Sequence, residues 1–476
     1  MRAQSVYGPP GTGKTTHLMA LIDRFKNMGY DASQISLLSH TKAAAAEALS
    51  RLGVSRSDLV STIHSQCYRL LDMSSSQIVD FRRLNEFSEL MGISIKNGSV
   101  DSEEGIEVGD EYLAIYNRSR NRMRSYLDEY EESDRPGTWP EFQAFCHGYA
   151  DWKKSNGYID FTDMLERLVN RGDQIQFSAK VLLVDEAQDL SPLQWAVIDI
   201  LIRNVDWAVA AGDDDQAVHT WAGADAHGMA AFEERFDAKR LILDQSHRVP
   251  IAVHQLALDV IGRVANRVEK RYLPKDSVGI VNNYGGMDSV DFKHGEDTLV
   301  LCRTGAQKKE VEKILVEQGI PYLNDGGKPG MYQTKIYRAI QIYHRLQNGD
   351  AVSPSEMQLL NDQSEPRFKS RPDSQAMAEF LRVGHMKALK IPFWNTEFFR
   401  NVDVNVAPTI RISSIHGAKG REAERVILHT GMTQRTAAGM DSNMDSECRV
   451  WYVGVTRAKN RLDIVDGNNP FPLQNG

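Results

Sequence analysis

The segment GPPGTGKT, Gly8–Thr15, constrains what this chain can fold into more than any other. A short strand-like run, Gln4–Tyr7, precedes it, and a helix-forming stretch from Lys14 to Lys26 follows. In the pattern G-x-x-x-x-G-K-[ST], glycines let successive backbone N–H groups curl around a phosphate chain. The lysine reaches the terminal oxygens, and the hydroxyl after it coordinates Mg²⁺. Gly8, Pro9, Pro10, Gly11, Thr12, Gly13, Lys14, Thr15 and Thr16 therefore form a candidate nucleotide-binding loop, with Thr15 as a metal ligand. Such a loop needs a strand before it and a helix after it, which commits the chain to an α/β fold.

The rest of the sequence repeats this alternation. Apolar runs at Ile35–Leu38, in VLLVDEAQD and WAVAAG, and later in TLVLCR, TIRISSI and RVILHT, read as strands with helices between them. At 476 residues the chain is too long for one core. We expect two parallel-sheet α/β domains, each interrupted by a mostly helical insertion. The first domain is read as 1–75 with 155–245, around an insertion at 76–154. The second is read as 246–335 with 406–476, around a smaller insertion at 336–405. No run approaches the roughly 18 apolar residues of a membrane span. The N-terminus has no apolar signal core, and no membrane association is expected. Cys67, Cys146, Cys302 and Cys448 have no paired spacing, which argues against zinc and disulfides and fits a reducing cytoplasm. A net charge of −8 neither announces nor excludes a nucleic-acid partner, because phosphate affinity comes from local clusters.

VLLVDEAQD, Val181–Asp189, ends an apolar strand in adjacent acids. Beside a phosphate loop, Asp185 is expected to hold Mg²⁺ and Glu186 to orient and deprotonate an attacking water. An acid directly after the metal-binding Asp favours hydrolysis over transfer to a hydroxyl. Phosphoryl transfer also needs positive charge on the γ-phosphate, and Arg248 in LDQSHRVP and Arg457 in YVGVTRAKNRL are the candidates.

In order along the chain, GPPGTGKTT, SHTKAAAAEAL, STIHSQCYRLL, IDFTDML, VLLVDEAQD, GDDDQAVHTWAGAD, LDQSHRVP, SSIHGAKGREAERVIL and ECRVWYVGVTRAKNRL resemble the UvrD/Rep/PcrA-type helicases of superfamily 1. The resemblance implies two RecA-like domains, ATP and Mg²⁺ as cofactors, and single-stranded DNA or a single-strand/duplex junction as partner. By position it implies that Gln216 senses the γ-phosphate, that Arg248 and Arg457 contact it from the second domain, and that Glu422 binds the ribose. It puts His40, Thr41, Thr62, His64, His219, Ser414 and His416 along the DNA, with Trp221 stacking on a base. The activity implied is an ATP-dependent motor running 3′ to 5′. A translocase or protein-displacing remodeller with weak unwinding, and an ATP-gated DNA-binding subunit of a larger complex, are the alternatives.

The chain departs from this family in several places. Gln4 stands too close to the loop to read adenine, and His247 replaces the family's adenine-stacking Tyr. Ser39 replaces a Phe, while His219 and Ala222 replace the Tyr and Arg beside the family Trp. Both insertions are short, and GMTQRTAAGMDSNMD offers no aromatic wedge, so processive unwinding is expected to need a protein partner. Arg118, Arg120, Arg122 and Arg124 occupy alternate positions and would spread around a helix. Either Arg124 pairs with Asp128 at i,i+4, or the group touches duplex DNA. The partners of Asp213, Asp214 and Asp215 cannot be named from sequence.

Overall fold

The computed structural model describes residues 1–39, 42–55, 59–96, 107–292, 295–317, 320, 322–325, 342, 345, 349–363, 408–440 and 443–473. His40 and Thr41 lie outside the described residues, as does most of the expected second insertion. The chain divides into two compact units, residues 1–278 with 440–456 and residues 279–439 with 457–476.

The first unit is built on six strands: β1 (Arg2–Tyr7), β2 (Ile35–Leu38), β3 (Val60–Ser61), β4 (Val181–Val184), β5 (Trp207–Gly212) and β6 (Lys239–Ile242). They pair in parallel in the order β3-β2-β4-β5-β1-β6. Side chains alternate between faces along each strand, so one sheet feeds two cores. Leu182, Val184, Ala208 and Ala210 join one core, while Val181, Leu183, Val209 and Ala211 join the other. With helices on both faces, β2 and β4 are buried at every position. A short parallel pair, β7 (Gln245–Pro250) and β8 (Leu273–Lys275), belongs to this unit and was not anticipated from the sequence.

Between β3 and β4 the chain forms helices Ile63–Leu70, Phe81–Met91, Val108–Asn121, Tyr126–Glu131, Trp139–Asn156 and Phe161–Arg171. Apolar runs are sparse here because aromatic residues fill the centre: Phe87, Tyr112, Tyr116, Tyr130, Phe142, Phe145 and Tyr149 are buried together. Phe87 meets Phe145 edge-on with ring centroids 5.5 Å apart, a favourable aromatic geometry.

The second unit carries β9 (Ile280–Tyr284), β10 (Thr298–Cys302), β11 (Tyr322–Leu323), β12 (Ile410–Ser414), β13 (Ala423–His429) and β14 (Ala458–Val465). These too are parallel, in the order β11-β12-β10-β13-β14-β9. Two parallel sheets flanked by helices agree with the fold class expected from the alternating pattern. No helix among the described residues is long and apolar enough to cross a membrane.

Phe145 is fully buried and Phe161 is 58% exposed, which separates a core aromatic from a surface one. Chemical denaturation should show Phe145→Ala losing about 3–5 kcal/mol and Phe161→Ala less than about 1 kcal/mol.

Candidate nucleotide and DNA site

The candidate catalytic residues of the first unit meet because three strand ends are neighbours. β5 lies between β1 and β4, with Tyr7 in register with Gly212 and Val184 with Ala210. The Gly8 amide donates to the Gly212 carbonyl at 2.9 Å, so the phosphate loop and the GDDDQ segment leave the sheet side by side. Carboxyl ends of parallel strands are where α/β sheets bind ligands.

Gly11 and Gly13 have φ of 74° and 82°, in the left-handed region that favours glycine. A Cβ on Gly11 would also sit 2.4 Å from Arg248 Cβ. Helix Lys14–Asn27 begins directly after Gly13, so its free N–H groups face the loop. Lys14 Nζ donates to the Gly8 carbonyl at 2.8 Å, within the loop it would serve. Pro9 and Pro10 are bound through their carbonyls, which accept from Thr12 Oγ1 and Ser246 Oγ, both at 2.7 Å. The His247 amide donates to the Gly11 carbonyl at 2.9 Å, so β7 is fastened to the loop. Arg248 thus stands in the same compact unit as the phosphate loop, whereas the resemblance implied the second domain. The His247 side chain is exposed.

Asp185 and Glu186 follow β4. Burial, then the neighbouring Glu186 charge, push the Asp185 carboxyl up to about 7, against the pull of Lys14. Adjacent carboxylates, one buried and one half-buried, near a lysine suit a divalent cation, which would relieve that repulsion. Glu186 has φ 53° and ψ 42°, a left-handed conformation that costs a non-glycine residue on the order of 1–3 kcal/mol. Its Oε2 accepts from Gln188 Nε2 at 2.6 Å.

The three aspartates have identifiable partners. Lys270 Nζ lies 3.3 Å from Asp213, 2.5 Å from Asp214 and 2.9 Å from Asp215. Arg267 binds Asp215 bidentately, through Nε at 2.7 Å and a terminal nitrogen at 2.5 Å. Burial alone would lower the Lys270 ammonium, but the three carboxylates outweigh it and hold its pKa above the ordinary value. Three carboxylates face two cations, and the excess falls on Asp213, which burial pushes upward. Asp213 Oδ2 accepts from Gln216 Nε2 at 2.6 Å, so the sensor candidate is docked on the same cluster. Arg449, in helix Met444–Val455, donates to the Asp214 carbonyl at 3.0 Å.

Five residues beyond Gln216, Trp221 is 39% exposed on a short 3₁₀ turn, with the His219 ring centroid 6.4 Å away. Thr62 caps helix Ile63–Leu70, its hydroxyl accepting from the Ser65 amide at 3.2 Å. A cavity of about 680 Å³ runs beside it, with Ser39, Thr62, His64, Tyr68, Phe161 and Asp185 in its walls. The His64 and Phe161 rings meet edge-on at 5.7 Å. Phe161, in IDFTDML, was given no role from its sequence; it becomes a candidate here through its exposure beside His64 in the cavity wall.

The arginine row corrects one expectation. Arg124 pairs with Glu132, two nitrogens each 2.6 Å from a carboxylate oxygen, and not with Asp128. The helix ends at Asn121, so the i,i+4 spacing that would have aligned Arg124 with Asp128 does not exist there. Arg118 and Arg122 both bind Glu129. Arg120 is buried against Asp160, Asp163 and Glu166. Arg122 also donates to the Thr220 carbonyl at 2.7 Å, beside the Trp221 turn.

In the second unit, Ser414 closes β12 and its hydroxyl accepts from the Gly417 amide at 3.0 Å. His416 is buried nearby. Glu422 lies 2.9 Å from Lys459. Arg457, just before β14, is buried and donates to the Arg421 carbonyl at 3.3 Å.

Two outcomes follow from this arrangement. Lys270→Met leaves three carboxylates facing one arginine, and denaturation should report a loss of about 3–5 kcal/mol. Replacing Arg118, Arg122 and Arg124 with Ala should leave the salt dependence of DNA binding unchanged, since carboxylates already hold them.

Residues 2–237 match the UvrD/REP helicase N-terminal domain, and residues 395–467 match the UvrD-like helicase C-terminal domain. The chain is 26% identical over 373 residues to ATP-dependent DNA helicase PcrA of Bacillus subtilis, covering 71% of this chain and 50% of that protein. It is 24% identical over 397 residues to DNA helicase II of Haemophilus influenzae, covering 75% and 52%. Among solved structures it matches the arterivirus nonstructural protein 10 helicase at 14% identity, covering 98% of this chain and 59% of that one. That match has a TM-score of 0.34, too low to bear on the fold. The chain spans about half the length of the curated relatives it matches. Two domain matches in the family's order, over a phosphate loop, an acidic pair and a GDDDQ segment that share one sheet edge, establish that this chain belongs to the UvrD/PcrA-like family of superfamily 1 helicases.

Proposed function

We propose that this chain is an ATP-dependent DNA helicase of the PcrA/UvrD type, moving 3′ to 5′ along single-stranded DNA. The observation that carries this reading is the continuity of GDDDQAVHTWAG. Its Gln216 is bound to Asp213 beside the phosphate loop, while its Trp221 stands exposed five residues on. One short continuous segment therefore links the proposed hydrolysis site to the side chain proposed to stack on a base. We infer the polarity from family membership. The functional partition expected from the motifs, with a second RecA-like domain beginning at 246, is part of the same proposal.

In this reading the loop from Gly8 to Thr16 cradles the phosphates of ATP and Lys14 binds the terminal oxygens. Thr15 and Asp185 would hold Mg²⁺, which when bound neutralises phosphate charge. Glu186 orients a water and accepts its proton as the water oxygen bonds to the γ-phosphorus and the bond to the β–γ bridging oxygen breaks, releasing ADP and phosphate. Arg248 and Arg457 are the cations proposed for the charge that develops there, and Glu422 the ribose contact. Thr62, His64, Trp221, Ser414 and His416 are proposed to meet the DNA, with Phe161 added from its place beside His64.

A second reading is favoured by the stretch from Thr430 to Asn443, which carries no aromatic side chain that could part a base pair. A translocase or protein-displacing remodeller would use the same chemistry with weak strand separation. Streptavidin displacement from tailed DNA, run beside unwinding of the same duplex, separates the two.

Wild-type chain should hydrolyse ATP faster in the presence of single-stranded DNA. Lys14→Ala and Glu186→Gln should lower that rate by roughly 10²–10⁴-fold. No stimulation of the wild type by DNA would overturn the motor reading. Trp221→Ala should weaken single-strand affinity by about 1–3 kcal/mol with little sequence preference. A 3′-tailed duplex should be unwound and a 5′-tailed one left intact.

A further inference from the structure

Gln188 is fully buried between two segments that have separate places in the proposed reaction. Both ends of its amide are engaged. Nε2 donates to Glu186 Oε2 at 2.6 Å, and Oε1 accepts from the Asp213 amide at 3.0 Å. Asp213 then accepts from Gln216 Nε2 at 2.6 Å. The path Glu186–Gln188–Asp213–Gln216 is thus unbroken, with each link at 3.0 Å or less.

A side-chain amide suits this position, because it carries a donor at one end and an acceptor at the other on one planar group without needing a proton from solution. The fit is tight: a Cβ on Gly212 would lie 2.5 Å from Gln188 Oε1 and 3.0 Å from the Gln188 backbone nitrogen. The backbone of Glu186 is left-handed, a conformation that persists only where surrounding contacts hold it. Gln188 supplies one such contact, and it ties that contact to the segment carrying Gln216 and Trp221. Such a buried polar path is strong when every member is satisfied and fails as a unit when one is lost.

We propose that Gln188 is a positioning residue that sets the Glu186 carboxylate against Gln216, so that displacement of the GDDDQ segment moves the proton acceptor out of line. This rests on the roles of Glu186 and Gln216 proposed above. Gln188 acts through Glu186 and Asp213 and not by contact with the nucleotide.

The test is a kinetic cycle on the full chain, measuring kcat and KM for ATP with saturating single-stranded DNA, together with the melting temperature. Q188M keeps the volume and removes the amide. Q188N keeps the amide but is too short to span both ends, and serves if Q188M does not fold. Either variant should lower kcat by about tenfold or more while KM stays within about twofold. Combined with Q216A, the loss should be no greater than that of the slower single variant, as expected for groups acting as a unit. Wild-type kcat in Q188M or Q188N, or losses that multiply in full with Q216A, would overturn the inference. A wild-type chain without DNA-stimulated hydrolysis would instead overturn the functional reading beneath it.

Discussion

The ion cluster that binds Asp213, Asp214 and Asp215 to Lys270 and Arg267 is the interaction on which the first unit depends. Three adjacent carboxylates cannot leave water without cations, since each isolated buried charge carries a penalty of several kcal/mol. Lys270 is almost fully buried among them, and Arg267 closes the outer side of Asp215. That arrangement holds the segment after β5 in one conformation beside the phosphate loop. The two cations come from the stretch before β8, so the small β7–β8 pair also clamps the site: β7 touches Gly11 and the residues before β8 neutralise the triplet.

The same electrostatic logic separates the two uses of arginine in this chain. The row from Arg118 to Arg124 is consumed by Glu129, Glu132 and the buried acids of helix Phe161–Arg171. It stiffens the helical insertion and, through Arg122, braces the turn that carries Trp221. The DNA contacts proposed for the first unit are therefore aromatic and hydroxyl groups: Phe161, His64 and Thr62 in the walls of one cavity that reaches Asp185, and Trp221 exposed on its own turn. Sequence-tolerant stacking suits such a surface, because every base has a π-face.

Strands β2, β4, β5 and β10 and the helix from Lys14 were legible as apolar or periodic runs, because their pattern is local. β14 and the β7–β8 pair were not, since AKNRLDIV and QSHRVP carry polar residues whose partners come from other elements. Asp463 in β14, for example, is buried only because Arg425 and Arg461 reach it. The helical insertion was legible as helix but not as a core, because its centre is aromatic and spaced irregularly. In the site, Lys14, Asp185 and Glu186 could be named from motif spacing. Gln188 and Lys270 could not: DEAQD and VEKRY give no sign of which neighbour their side chains will meet.

By itself, the sequence determined the α/β class, the phosphate loop and acidic pair, and the family, because each is carried by residues close together in the chain. Spacing within a loop or strand sets the backbone geometry that a phosphate or metal requires. Tertiary structure alone decided which charges neutralise one another, that Arg248 packs with the phosphate-loop unit, and that Gln188 bridges Glu186 to Asp213. Those outcomes depend on strand order, which brings the ends of β1, β4 and β5 together across more than 200 residues of chain. Burial then makes every unpaired charge or amide costly, so the packed fold selects the partners.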